Sequence, residues 1–240
     1  MTPATVDFPL YDSSHSTPDD AEIPVVSDIA PSGPLSPELY AFADPSSHRT
    51  EALRELRAQL LLRWFDECRT LACISATKGN KADQVAANLA ILMAQLGEQT
   101  LLIDANLRSP RLNLLFGLSA RPGLPEVLKD CDLCDDAIQQ VGQIPNLHVL
   151  CSSPATEGAQ ELISRTPFIY LTKTLADRFK AIIITTPPAL DCADAQIIAA
   201  RAGGCLLVAR RHRTRLNSIH RLKAKLAPAR TTIIGGVIVE

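Results

Sequence analysis

Apolar and polar positions alternate between two regimes along most of the chain. Short unbroken apolar runs read as strands: TLACIS (70–75), TLLIDA (100–105), LHVLCS (147–152), AIIITT (181–186), GCLLVAR (204–210) and TTIIGGVIV (231–239). Between them, apolar positions recur at helical spacing over about 83–97, 110–117, 132–141, 158–178, 192–202 and 214–227. Strands that are apolar on both faces, separated by helices, predict a mostly parallel sheet covered on both sides. Ahead of the first strand, SSHRTEALRELRAQLLLRWFDE predicts another helix. Leu53, Leu56, Leu60 and Trp64 share its inner face, and Thr50 is its predicted N-cap. The pattern predicts one α/β domain over residues 46–240.

Composition changes the picture at the N-terminus. Residues 1–48 hold eight acidic side chains, several prolines and no Lys or Arg. That stretch carries −8 while the whole chain carries −2, so the remainder carries +6. High net charge with few apolar residues does not offset chain entropy, so residues 1–45 are expected to form a disordered acidic, Pro-rich arm. No apolar run is long enough to cross a bilayer, and no basic region followed by an apolar one marks a signal peptide. The seven cysteines are mostly set in apolar runs (Cys73, Cys151, Cys205), which fits reduced, buried thiols. Cys131 and Cys134 form a lone CxxC with no second pair, so no metal site is expected.

Candidate chemistry centres on CISATKGNKADQVAANLA, residues 73–90. A strand, a short polar loop and a helix in that order are the layout of a nucleotide-binding P-loop. Further stretches carry a family resemblance. EALRELR matches an ExxRxxR helix, with Glu51, Arg54 and Arg57 at its three positions. TLLIDANLRSPRLNLLFGL fits a second Walker-type motif of the form apolar-DxDxR, and GLPEVL, QELISRTPF and ADAQIIAARAGGCLLVARRHRTR follow in order. Residues 46–239 thus resemble the cytoplasmic domain of bacterial tyrosine autokinases of exopolysaccharide and capsule biosynthesis, in particular those associated with a chain-length determinant. The resemblance implies a P-loop NTPase-like fold related to the MinD and ParA ATPases, and a ring-forming role for the ExxRxxR helix.

The phosphate-binding positions depart from that family's pattern, which reads about SAxPGEGKSTVAANLA. Gly79 keeps the first glycine, and Asn80 and Lys81 follow, with Lys81 at the second glycine. Ala82 replaces the phosphate-binding lysine, and Asp83 and Gln84 replace the hydroxyl residues. In the third motif, IIITTPP, Thr185 stands where the family has an aspartate. Asp83 is expected to cap the helix itself and to hold a fixed negative charge where triphosphate would sit. Asp104 and Arg108 survive as relics of the second motif, with Asn106 at its second aspartate. Asp104 is expected to end a strand and accept hydrogen bonds from the P-loop backbone.

Two functions follow from the resemblance. The first is a pseudokinase that acts by contact, through a polysaccharide co-polymerase or an active kinase, with self-association and no cofactor. The second is an autokinase or ATPase that grips ATP and Mg²⁺ through Lys78 or Lys81 with Asp104. The expected location is the cytoplasm, at the inner membrane face through a partner. A MinD/ParA-like positioning role lacks support, because Thr77 stands at the second lysine signature of those ATPases. Tyr11, Tyr40 and Tyr170 are the only tyrosines, and none is near the C-terminus, where the family commonly carries a tyrosine cluster. Tyr11 reads as an ordinary linker aromatic, with phosphorylation by an active partner as the alternative. ARRHRTRLNSIHRLKAK has no interleaved aromatic residue, which argues against nucleic acid and reads as a strand end followed by a solvated helix. His212 and His220 are given no catalytic role.

Overall fold

A computed structural model of the protein describes residues 33–118, 122–154, 158–229 and 231–240. Its sheet has seven strands: β1 (Thr70–Ser75), β2 (Thr100–Asp104), β3 (Ile138–Gln140), β4 (Leu147–Leu150), β5 (Ala181–Thr185), β6 (Gly204–Arg210) and β7 (Thr232–Val239). They lie in the order β3-β4-β2-β5-β1-β6-β7. Every pairing is parallel except β3 with β4. The helices are α1 (Tyr40–Ala43), α2 (His48–Leu60), α3 (Ala82–Ala94), α4 (Leu112–Phe116), α5 (Leu124–Val127), α6 (Cys134–Ala137), α7 (Ala159–Ser164), α8 (Thr166–Arg178), α9 (Asp194–Ala202) and α10 (Leu216–Leu226). One apolar cluster joins α1, α2 and α3 to one face of the sheet, and a second joins α8, α9 and α10 to the other. The central strands are therefore buried on both sides, as their unbroken apolar runs require.

Four expectations need correction. The disordered arm does not extend to residue 45. Leu39 and Ala41 are fully buried, Gly33 N–H donates to Gly117 O at 2.9 Å and Ser36 N–H to Leu115 O at 2.8 Å. A local cluster of Leu35, Leu39 and Ala41 offsets the ordering entropy that the average composition of residues 1–48 concealed. Gly117 permits this contact: it ends α4 with φ 62°, and a Cβ there would approach the Gly33 carbonyl oxygen to 2.5 Å. The remainder of the arm, with Tyr11, lies outside the described residues.

The N-cap of α2 is Ser47, whose Oγ accepts from Thr50 N–H at 3.3 Å. Thr50 sits inside the first turn and donates its hydroxyl to Asp44 O at 2.9 Å. The helix expected over 132–141 gives way after Ala137 to β3, a three-residue edge strand too short to leave a period. The helix expected over 158–178 is two helices. Arg165 is extended (φ −74°, ψ 161°) and Pro167 opens α8, because proline has no N–H to continue α7.

Candidate functional site

The loop between β1 and α3 keeps the backbone of a phosphate-binding turn. Gly79 has φ 77° and Lys81 φ 58°, so Lys81 holds the left-handed conformation that a second glycine adopts without cost. The loop is tied from within. Asn80, 3% exposed, donates to Thr77 Oγ1 at 3.2 Å and accepts from Thr214 Oγ1 at 3.0 Å. Thr214 follows the end of β6, and Arg210 from the same strand reaches Gly79 O at 3.5 Å. The RRHRTR segment thus fastens the loop, while Arg211, Arg213 and Arg215 stay exposed.

Lys81 is the N-cap of α3, and no side chain caps this helix. Ala82, at the lysine position, is buried in the core. Asp83 does not cap the helix as expected. Its Oδ2 accepts from Arg111 Nη1 at 2.9 Å, and Arg111 Nη2 meets Glu38 Oε1 at 3.2 Å. Lys81 occupies the N-cap position, so Asp83 lies inside the first turn, where its carboxylate takes a charge-assisted bond from the guanidinium. Gln84 donates to Glu38 O at 3.1 Å, and Asn88 Nδ2 to the same oxygen at 2.9 Å. Ala41 N–H donates to Asn88 Oδ1 at 2.8 Å. Residues 36–44 therefore form a strap held across the first two turns of α3.

Asp104 ends β2 and is 2% exposed. Its donors are not in the P-loop backbone. Oδ1 accepts from Asn106 N–H at 3.2 Å and Thr185 Oγ1 at 2.9 Å, and Oδ2 from Arg111 N–H at 2.8 Å and Leu112 N–H at 3.0 Å. Burial pushes its carboxyl above the usual carboxylate range, and these four bonds oppose the rise. Thr185 supplies a neutral donor where a second carboxylate would repel Asp104. Arg108 pairs with the buried Asp194 at 2.9 Å, at the start of α9, and Asn106 closes its own turn through Ser109. The structure therefore collects Asp83, Asp104 and Thr185 around the start of α3 and the end of β2, each already partnered within the chain.

Helix α2 divides the three ExxRxxR positions. Glu51 and Arg54 form an exposed pair at 2.9 Å. Arg57 turns inward and donates to Leu92 O, near the C-terminal end of α3, at 2.9 Å. Sequence reasoning missed Arg111, Glu38, Thr214 and Asp194, which hold the site together from distant segments. Arg111 stands within the second motif, but nothing local connects it to Asp83, 28 residues away. Among the described residues no three His, Cys, Asp or Glu side chains gather as a metal site. All seven cysteines are free; burial pushes Cys73 and Cys205 up to about 12. No described helix is long and apolar enough to cross a membrane.

No family model matches the chain. Tyrosine-protein kinase YwqD of Bacillus subtilis is 31% identical over 201 residues, 83% of this chain and 84% of the relative. The chain belongs to the bacterial tyrosine-protein kinase family. The kinase domain of Escherichia coli tyrosine kinase ETK has a TM-score of 0.79 at 28% identity, with 84% of this chain and 79% of that one covered. The chimerical protein CapA2B2 has a TM-score of 0.80 at 26% identity, covering 85% and 90%. The cell-division ATPase MinD of Pyrococcus furiosus, at 0.62 and 26% identity over 71% of each chain, carries the same P-loop architecture.

Proposed function

We propose that this member of the family is a catalytically deficient kinase that acts by protein contact in exopolysaccharide biosynthesis, docking on a polysaccharide co-polymerase or an active kinase. The observation that carries the reading is the Arg111–Asp83 pair at 2.9 Å beside Ala82. The position that should present a hydroxyl to magnesium presents a carboxylate bound to a guanidinium, and the position that should present an ammonium to phosphate presents a methyl group. A charge-assisted contact of the missing lysine type contributes roughly 1.5–3 kcal/mol, so its absence alone weakens nucleotide binding by about one to two powers of ten. Asp104, with four donors, has little acceptor capacity left for a metal ion. The donor set does not fit Mg²⁺ and triphosphate. The exposed Glu51–Arg54 face of α2 is the contact surface this reading uses.

A second reading, an active autokinase with an unusual phosphate grip, is favoured by one observation: the loop keeps its left-handed Gly79 and Lys81. Lys78, exposed in the same loop, would supply the charge. Two assays separate the readings. The purified chain with Mg²⁺ and labelled ATP should incorporate no phosphate on tyrosine, and it should co-purify with a polysaccharide co-polymerase. Autophosphorylation lost in Asp104→Ala would establish the second reading instead.

A further inference from the structure

Among the described residues the sheet ends at β7, whose outer edge has no strand beside it. β7 is long for an edge strand, eight residues, and Ile238 is 75% exposed. An open edge of this length presents unpaired N–H and C=O groups and is a template for a further strand. Beside it lies a groove of about 620 Å³ between α2, the start of α3 and β7. Leu53, Leu56, Val237 and Val239 give it apolar walls, and His48, Arg49 and Lys81 give it a cationic rim. Among the described residues His48 and Lys81 form no ion pair, and Arg49 reaches only Glu240, at 3.8 Å between two exposed side chains.

We propose that residues 5–12 of this same chain, TVDFPLYD, occupy the groove as an eighth strand on the edge of β7. Three features of the sequence favour this occupant. Val6, Phe8 and Leu10 alternate, so an extended backbone places them on one face, matched to the apolar walls. Pro9 falls at the opposite parity, so when Val6, Phe8 and Leu10 direct their backbone groups to β7, the missing proline donor lies on the outer side. Residues 1–32 carry six acidic side chains and no Lys or Arg, and Asp12 shares the face of Leu10 and meets the cationic rim. Reach is sufficient. Tyr40 already lines the groove, and the 21 residues from Asp12 to Gly33 span up to about 70 Å. Backbone pairing supplies affinity and the side-chain pockets supply register.

Hydrogen exchange and zero-length carbodiimide cross-linking of the full chain test this. The β7 amides that do not face β6 should be protected in the wild-type chain, and Phe8→Asp with Leu10→Asp should speed their exchange at least tenfold while β1 and β5 stay unchanged. Cross-linking should join Asp12, on the groove face, to Lys81. In a mixture of isotopically light and heavy protein, the joined peptides should carry a single label. Fast exchange of those amides in the wild type, or no link from residues 5–12 to Lys81, would overturn the proposal. Links only between light and heavy chains would also overturn it, and would assign the groove to a second copy.

Discussion

Arg111 holds Asp83 at 2.9 Å with one nitrogen and Glu38 at 3.2 Å with another, joining the start of α4, the first turn of α3 and the strap in one ionic contact. Asp83 lies in the first turn of α3, so the same guanidinium neutralises its carboxylate and ties the strap to the helix. Removing it should loosen both. Arg111→Ala should lower stability by about 1 kcal/mol, since the partners are partly exposed and solvent screens the pairs. Exchange of the 36–44 amides should rise more than exchange in β1, and 0.5 M salt should shrink the difference between variant and wild type.

Asn88 is the buried counterpart of that latch. Its side chain bonds Ala41 N–H, Glu38 O and Gln84 O with no water access. Asn88→Ala leaves strap groups without partners, each costing about 1–3 kcal/mol. Chemical denaturation should show a loss of about 2–4 kcal/mol, several times that of Arg111→Ala.

His148 in β4 sets an acid limit on the fold. It is 8% exposed and packs edge-on against Phe179 at 5.3 Å. Burial lowers its pKa below the ordinary 6.5, with the nearby Arg178 acting the same way and a backbone bond at Asn146 opposing it. The unfolded chain therefore binds the proton first as pH falls. Stability from this residue is complete above pH 6.5 and declines as pH drops from 6.5 toward the folded value. In His148→Leu that part of the slope should vanish in denaturant titrations between pH 7 and 5, whatever the variant's stability at pH 7.

The two arginines of the ExxRxxR helix should separate. Arg54 makes an exposed pair with Glu51, so Arg54→Ala should change stability by no more than a few tenths of a kcal/mol and should report cleanly on partner association. Arg57 satisfies the Leu92 carbonyl from a partly buried position. Arg57→Ala should cost about 1–2 kcal/mol as seen by thermal unfolding, so any loss of association in that variant is partly a loss of fold.

Much of the fold was legible in the residues because it depends on unbroken apolar runs. The strands β1 and β6 coincide with TLACIS and GCLLVAR, and the others differ by one or two residues at an end. The edge strand β3 and the break at Arg165 were not legible: three residues leave no period, and Pro167 sits where a helix start and a helix kink look alike. At the site, the positions of Lys81, Ala82, Asp83 and Gln84 in the loop and first turn were legible because they fall at fixed spacing from Gly79. Their partners were not. Arg111, Glu38 and Thr214 reach the P-loop from segments 28 to 134 residues away, and no local pattern encodes such contacts. The structured strap was hidden by averaging, because Leu39 and Ala41 lie within a stretch whose mean charge is strongly negative.

On the proposed reading, the P-loop frame persists without a nucleotide grip. Calorimetric titration of the full chain with ATP and Mg²⁺ tests it most directly, with Ala82→Lys/Asp83→Thr/Thr185→Asp titrated beside it. The wild-type chain should give no saturable heat up to millimolar nucleotide, and the triple variant, whose retained Gly79 turn would again have phosphate and metal ligands, should bind measurably. Micromolar binding by the wild-type chain, abolished in Asp104→Ala, would contradict that reading.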